Sequence, residues 1–340
     1  MPHHPSSPTI SAAEHGESVT VHRDIVFARR DTGDLLLDLH RPATGHPVPV
    51  VLWLHGGGWF TGDRTLAPDL GAGAAATGCA LASIEYRLSG QALFPAQLHD
   101  VRAAIRFLRA NAERFGLDPS RIGVWGASAG GHLAALAGLT GHIAALPDEF
   151  GASEADGGND AGADASVQAV AESYGPVDLA ECVAGAAAAG GDGSRTPEAR
   201  LLGGLPADRA ELARQASPLT WVSAAAPPFQ ISHGTGDVLV SHRQSERLHA
   251  ALVSAGVESD LYLVEGYKHG FLNPAGRLDV DLAAVMDDGR LAAEGTAAAL
   301  HRGSGAQNTP DSPGATDGRT TFGFRDIHDF FRRHLVPGTD

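Results

Sequence analysis

GVWGASAGGH, residues 123–132, places Gly126-Ala127-Ser128-Ala129-Gly130 between a short apolar run and an Ala-rich apolar segment. This is the order strand, sharp turn, helix. A G-x-S-x-G string in that setting lifts a serine clear of a sheet on a strained turn. The turn is so tight that side chains two positions before or after the serine would strike the neighbouring strand and helix, which is why Gly126 and Gly130 stand there. The Ser128 hydroxyl then lies at a helix amino end, where the helix dipole favours developing negative charge. The pentapeptide alone does not decide the matter. Gly, Ala and Ser are abundant in this chain, and an ordinary strand-to-helix turn gives the same string.

The surroundings supply the sheet. Val48–Leu54 (VPVVLWL) is uniformly apolar, as expected of a central strand buried on both faces of a mostly parallel sheet. Residues 79–84, 122–125, 167–173, 229–232 and 261–264 have the same character, at spacings that leave room for helices. Between two of them, Val101, Ala104, Ile105, Leu108, Ala112 and Phe115 fall at helical spacing and predict a crossover helix over 100–115. Strands alternating with helices imply an α/β fold with a doubly wound sheet, whose chemistry lies at the carboxyl ends of the strands. Residues 19–28 and 35–40, around Asp31-Thr32-Gly33, predict an opening hairpin. Residues 146–166 and 275–321, rich in small and polar residues, read as surface insertions. Phe324–Leu335 restores a helical stripe through Ile327, Phe330, Phe331 and Leu335. Residues 19–340 are therefore expected to form one domain behind a leader over 1–18, and no internal repeat is seen.

A second motif answers the first. His55-Gly56-Gly57-Gly58-Trp59 follows the strand Val48–Leu54, so its backbone emerges at the active edge of the sheet. The amides of Gly57, Gly58 and Ala129 are candidate donors to an oxyanion, and loss of one such donor costs roughly 2.7–4 kcal/mol in comparable sites. A phosphate-cradling loop would need a Lys-Ser/Thr ending or dinucleotide-type glycine spacing, and both are missing. His55 is expected to brace the loop. An acid and a base should follow in that order. Asp237, in His233-Gly234-Thr235-Gly236-Asp237, and His269, in Gly266-Tyr267-Lys268-His269-Gly270-Phe271, both stand just past apolar runs. Glu265 competes with Asp237 but is close in sequence to His269. An Asp in a Gly-rich turn also often just caps the next helix. His233 and His242 read as structural or rim residues, and His132 as packing beneath the turn. Trp59, Phe60, Tyr174 and Phe271 adjoin the motifs and are candidate pocket-lining residues.

The chain has 340 residues, 43% apolar, enough for a large core. Acidic residues outnumber basic ones 40 to 25 with no Lys/Arg cluster, a balance that repels nucleic acid. Cys79 and Cys182 have no nearby partner, so neither a disulfide framework nor a zinc site is readable. His3 and His4 read as solvated, and no metal or organic cofactor is expected. The first 18 residues lack the basic start and apolar run of a secretory signal, and no apolar stretch reaches the roughly 20 residues that span a bilayer, so a cytoplasmic location without membrane contact is expected. A homodimer is left open.

With these residues in hand, the chain resembles the α/β-hydrolase superfamily, in particular its hormone-sensitive-lipase-like and feruloyl/acetylxylan-esterase-like branch. The likeness rests on HGGGW at 55–59, EYRLS at 85–89, FPAQLHDVRAAIRFLRAN at 94–111, GLDPSRIGVWGASAGGHLAAL at 116–136, YGPVDL at 174–179, SPLTWVS at 217–223, HGTGD at 233–237 and KHGF at 268–271. It runs from about residue 19 to 271 and resumes at 324. The resemblance implies an α/β-hydrolase fold, a Ser128-His269-Asp237 triad, oxyanion glycines at 57 and 58, a structural Arg87, and carboxylic ester hydrolysis of short-chain or aromatic acyl groups without a cofactor. The segment 275–321 departs from the pattern. The same triad serves formamidases, other amidases and lactonases, and a small-molecule receptor on an inactive hydrolase fold is the remaining alternative.

Overall fold

In the computed structural model, the described residues are 19–147, 149, 164–276, 284–304 and 318–338. The expected leader, most of the first insertion and parts of the second lie outside them. The strands are β1 (Val19–Arg30), β2 (Gly33–Pro42), β3 (Val48–Leu54), β4 (Ala80–Ile84), β5 (Leu117–Ala127), β6 (Ala169–Ser173), β7 (Phe229–Gly234), β8 (Ser259–Val264), β9 (Thr296–Gly303) and β10 (Arg319–Gly323). The helices are α1 (Leu70–Thr77), α2 (Ala96–Ala110), α3 (Ala112–Phe115), α4 (Ala129–Thr140), α5 (Leu179–Ala188), α6 (Pro197–Leu202), α7 (Ala210–Gln215), α8 (Arg243–Ser254), α9 (Arg290–Glu294) and α10 (Phe324–Leu335).

All ten strands join one sheet in the order β1-β2-β4-β3-β5-β6-β7-β8-β9-β10. The six from β4 to β8 run parallel, and an antiparallel pair closes each side. Strand alternation divides the core. Val50, Leu52, Leu54 and Val124 pack into one cluster with residues of α2, α4 and α8, while Val51, Trp53 and Trp125 pack into another with residues of α1 and α10. Both faces of β3 are thus covered, which is why its seven residues are all apolar. The hairpin, the parallel strands and the closing helix agree with the sequence.

Two expectations need correction. The crossover helix begins at Ala96 and stops at Ala110, and α3 restarts the chain before Gly116 turns it in a left-handed conformation. Residues 275–321 are not merely a surface excursion: β9 pairs antiparallel with β8, from Asp260 opposite Gly303 to Val264 opposite Ala299, and β10 pairs with β9. The inward residues of β9 are Ala297 and Ala299, too small to mark a strand by composition. In the first insertion, Glu149 turns inward to form ion pairs with Arg102 (2.6 Å) and Arg106 (2.5 Å) on α2.

Candidate active site

Ser128 joins β5 to α4 with φ 56° and ψ −120°, a backbone conformation that side chains rarely adopt. The glycines around it have no room to be anything else. A Cβ on Gly126 would lie 2.1 Å from the Gly130 carbonyl oxygen, and one on Gly130 would lie 1.9 Å from that of Leu54. Ser128 does not cap its helix. Its half-buried hydroxyl lies 2.7 Å from His269 Nε2, and His269 Nδ1 lies 2.6 Å from Asp237 Oδ2. Because a carboxylate only accepts, Nδ1 carries the imidazole proton and Nε2 keeps a lone pair toward Ser128.

Three strand ends converge to make this line. Asp237 follows β7, and its Oδ1 also accepts the Leu239 and Val240 amides at 2.9 Å each, so the loop-capping role and the contact with His269 coexist in one carboxylate. Burial by itself pushes the Asp237 carboxyl up, but the His269 and His233 rings beside it outweigh that and hold it well below the usual carboxylate range. His269 follows β8, and Tyr174, after β6, sets its ring edge-on 4.9 Å from that imidazole. Glu265 is exposed and takes no part.

The glycine loop after β3 passes over the turn: a Cβ on Gly56 would lie 3.2 Å from the Ala127 carbonyl oxygen. Gly57 and Gly58 have φ of 110° and 57°, and a Cβ on Gly57 would lie 2.2 Å from the Thr61 carbonyl oxygen. Among the described residues, the Gly57, Gly58 and Ala129 amides have no hydrogen-bond acceptor. His55 braces the loop, its Nδ1 donating to the Gly56 carbonyl at 2.7 Å and its ring stacked on Tyr86. Burial pushes its pKa down to about 4, so the ring is neutral at pH 7. Trp59 ties the loop to α4: its indole N–H donates to His132 Nδ1 at 3.2 Å, and His132 Nε2 donates to the Ala216 carbonyl at 2.7 Å.

The four candidate pocket residues divide. Trp59, Tyr174 and Phe271 are 1% exposed or less, and their rings are spent on His132, on His269 and on a core group with Tyr267 and Phe322, so they support the site from behind instead of lining it. Phe60 alone is half-buried, with Arg200 of α6 4.4 Å above its ring. His242 is partly exposed and faces Glu246, whereas His233 is fully buried against the acid loop. Sequence reasoning missed Glu198 on α6, a nearly buried carboxyl pushed up by burial and within electrostatic range of His269. It also missed the 284–289 segment, where Asp287 accepts the Lys268 amide at 2.7 Å and donates its own to the His269 carbonyl at 2.8 Å. An apolar groove of about 690 Å³ lined by Val183, Leu205, Ala210 and Leu219 shares no residue with the line from Ser128 to Asp237.

A mostly parallel sheet, a serine on a strained turn after β5, and an acid and a histidine after β7 and β8 define an α/β-hydrolase fold. The chain belongs to the BD-FAE family, whose model matches residues 37–252. Esterase LipC of Mycobacterium tuberculosis is 34% identical over 74% of this chain, and the chain spans 61% of that relative's length. Among solved structures, a truncated carbohydrate esterase from gut microbiota is 30% identical with a TM-score of 0.64, covering 77% of this chain and 90% of its own. Butyrate-bound esterase 2 of Thermogutta terrifontis is 25% identical with a TM-score of 0.60, covering 80% of this chain and 91% of its own. No helix among the described residues is long and apolar enough to cross a membrane.

Proposed function

We propose that the chain is a serine hydrolase of carboxylic esters with short or aromatic acyl groups. The observation that carries this reading is the buried line Ser128–His269–Asp237, with contacts of 2.7 and 2.6 Å and a tautomer that leaves Nε2 free to accept a proton. His269 takes the Ser128 proton as Oγ attacks the ester carbonyl, Asp237 holds the imidazole and offsets its charge, and the Gly57, Gly58 and Ala129 amides receive the oxyanion. His269 then protonates the departing alcohol. Water, deprotonated by the same ring, releases the acid and restores the serine.

Phe60, half-buried beside the glycine loop, supplies an apolar wall for a small acyl group. The likeness to an esterase that holds butyrate supports the same acyl size. The test is a panel on purified protein: p-nitrophenyl esters of increasing chain length, an aromatic acyl ester, N-formylkynurenine and a lactone, with fluorophosphonate labelling in parallel. Short or aromatic esters should turn over fastest and Ser128 should be labelled. Fast formamide or lactone cleavage beside negligible ester turnover would overturn the ester assignment. Saturable ligand binding with an unlabelled Ser128 would mark a receptor instead.

A further inference from the structure

Asp237 has a second histidine. His233, at the end of β7, is fully buried, and its Nε2 lies 3.3 Å from Asp237 Oδ2, the oxygen that also holds His269. The same Nε2 lies 2.9 Å from the Val240 carbonyl. Both neighbours are acceptors only, so Nε2 carries a hydrogen and faces both of them. At the other end of the ring, Nδ1 is hydrogen-bonded to Ser245 Oγ of α8, 2.7 Å away and fully buried.

Behind Ser245 stands Glu172 of β6, buried to the same degree. One of its oxygens accepts the Gly175 amide, and the Ser245 hydroxyl acts on the same carboxyl. Burial pushes this carboxyl up to about 8, against the Gly175 amide and the Ser245 hydroxyl, which favour its charged form. Glu172, Ser245 and His233 thus stand in a buried row behind Asp237.

We propose that His233, oriented by Ser245, is a positioning residue that holds Asp237 Oδ2 on the His269 Nδ1 proton. The inference rests on the triad reading above. An N–H suits this place because, shared with the Val240 carbonyl, it gives the Asp237 oxygen a second hydrogen in a dry site and so fixes where that oxygen meets His269. A Lys or Arg there would draw the carboxylate away.

The test separates the two ends of the ring. Gln at 233 replaces the Nε2 donor and Asn replaces the Nδ1 end, so His233→Gln keeps the bond to Asp237 and His233→Asn keeps the one to Ser245. His233→Ala and His233→Asn should lower kcat about 10–100-fold, the worth of one hydrogen bond to a charged group, with KM nearly unchanged. His233→Gln should recover most of that loss. The downfield proton resonance of the His269 Nδ1–H should persist in the Gln variant and weaken in the other two. Ser245→Ala, the least disruptive change, should lower kcat several-fold. Equal kcat in wild type and Asn variant, or equal impairment of the Gln and Asn variants, overturns the proposal. If the fluorophosphonate labels wild-type Ser128 while these variants match wild type, only the role of His233 is lost; an unlabelled, inactive wild type removes the triad reading itself.

Discussion

Each side chain in the candidate site is fixed by a partner it cannot do without. Ser128→Ala should remove roughly 10⁶ of kcat and abolish fluorophosphonate labelling without shifting the unfolding midpoint, since only a hydroxyl is lost. Asp237→Asn should cost about 10⁴, because an amide in that place favours the wrong imidazole tautomer. Trp59→Phe keeps a ring but strands His132 Nδ1 in a fully buried place, so denaturant unfolding should show a loss of about 1–3 kcal/mol. The positions of Ser128, Asp237 and His269 after apolar runs were legible from sequence order alone. The link from Trp59 to His132 and the line through Ser245 were not, because they join residues far apart in the chain whose meeting depends on packing, and no local pattern distinguishes such a histidine from the others.

Among the elements, strong apolar runs announced themselves and mixed ones did not. β3 is a continuous apolar stretch, and β7 and β8 carry Phe229 with Ile231 and Leu261 through Val264 where the sequence put them, whereas β9 and β10 were hidden by small or polar residues such as Ala297, Ala299 and Thr320. Their contribution to the core comes through Phe322, fully buried against Tyr262 and Phe271. Phe322→Ala should therefore cost about 3–5 kcal/mol in denaturant unfolding, a value far too large for a surface excursion. The segment before them also reaches the chemistry. Asp287→Ala frees the Lys268 amide, while Arg290 keeps Glu294, and should lower kcat several-fold with little change in the midpoint, as the backbone of the His269 loop loosens.

For the molecule as a whole, buried histidines set the response to acid. Burial pushes His55, His99 and His132 each down to about 4, against an ordinary value near 6.5. Between these values the unfolded chain takes up protons that the folded chain refuses, so stability is fully present above pH 6.5 and is lost as the pH falls toward 4. Each ring contributes up to about 1.4 kcal/mol per pH unit. Glu172, Glu198 and Asp288 have the opposite sign: their folded values are raised, so they cost stability as the pH rises, but among the described residues lowered histidines outnumber them. Unfolding midpoints measured from pH 7 to 4.5 should fall steeply, and His132→Gln should flatten that slope.

Trp59, Ser128 and Tyr174 have φ of 60°, 56° and 44°, and all three stand where a strand gives way to the loops around one hydroxyl. Such backbones cost of order 1–3 kcal/mol each and persist only because the sheet beneath over-determines them. The reactive end of this molecule is therefore a loaded joint. Glycine replacements at Trp59 or Tyr174 would unload it locally but discard buried rings worth about 3–5 kcal/mol that also steady His132 and His269, so relaxing the backbone there leaves a weaker protein with a slack site.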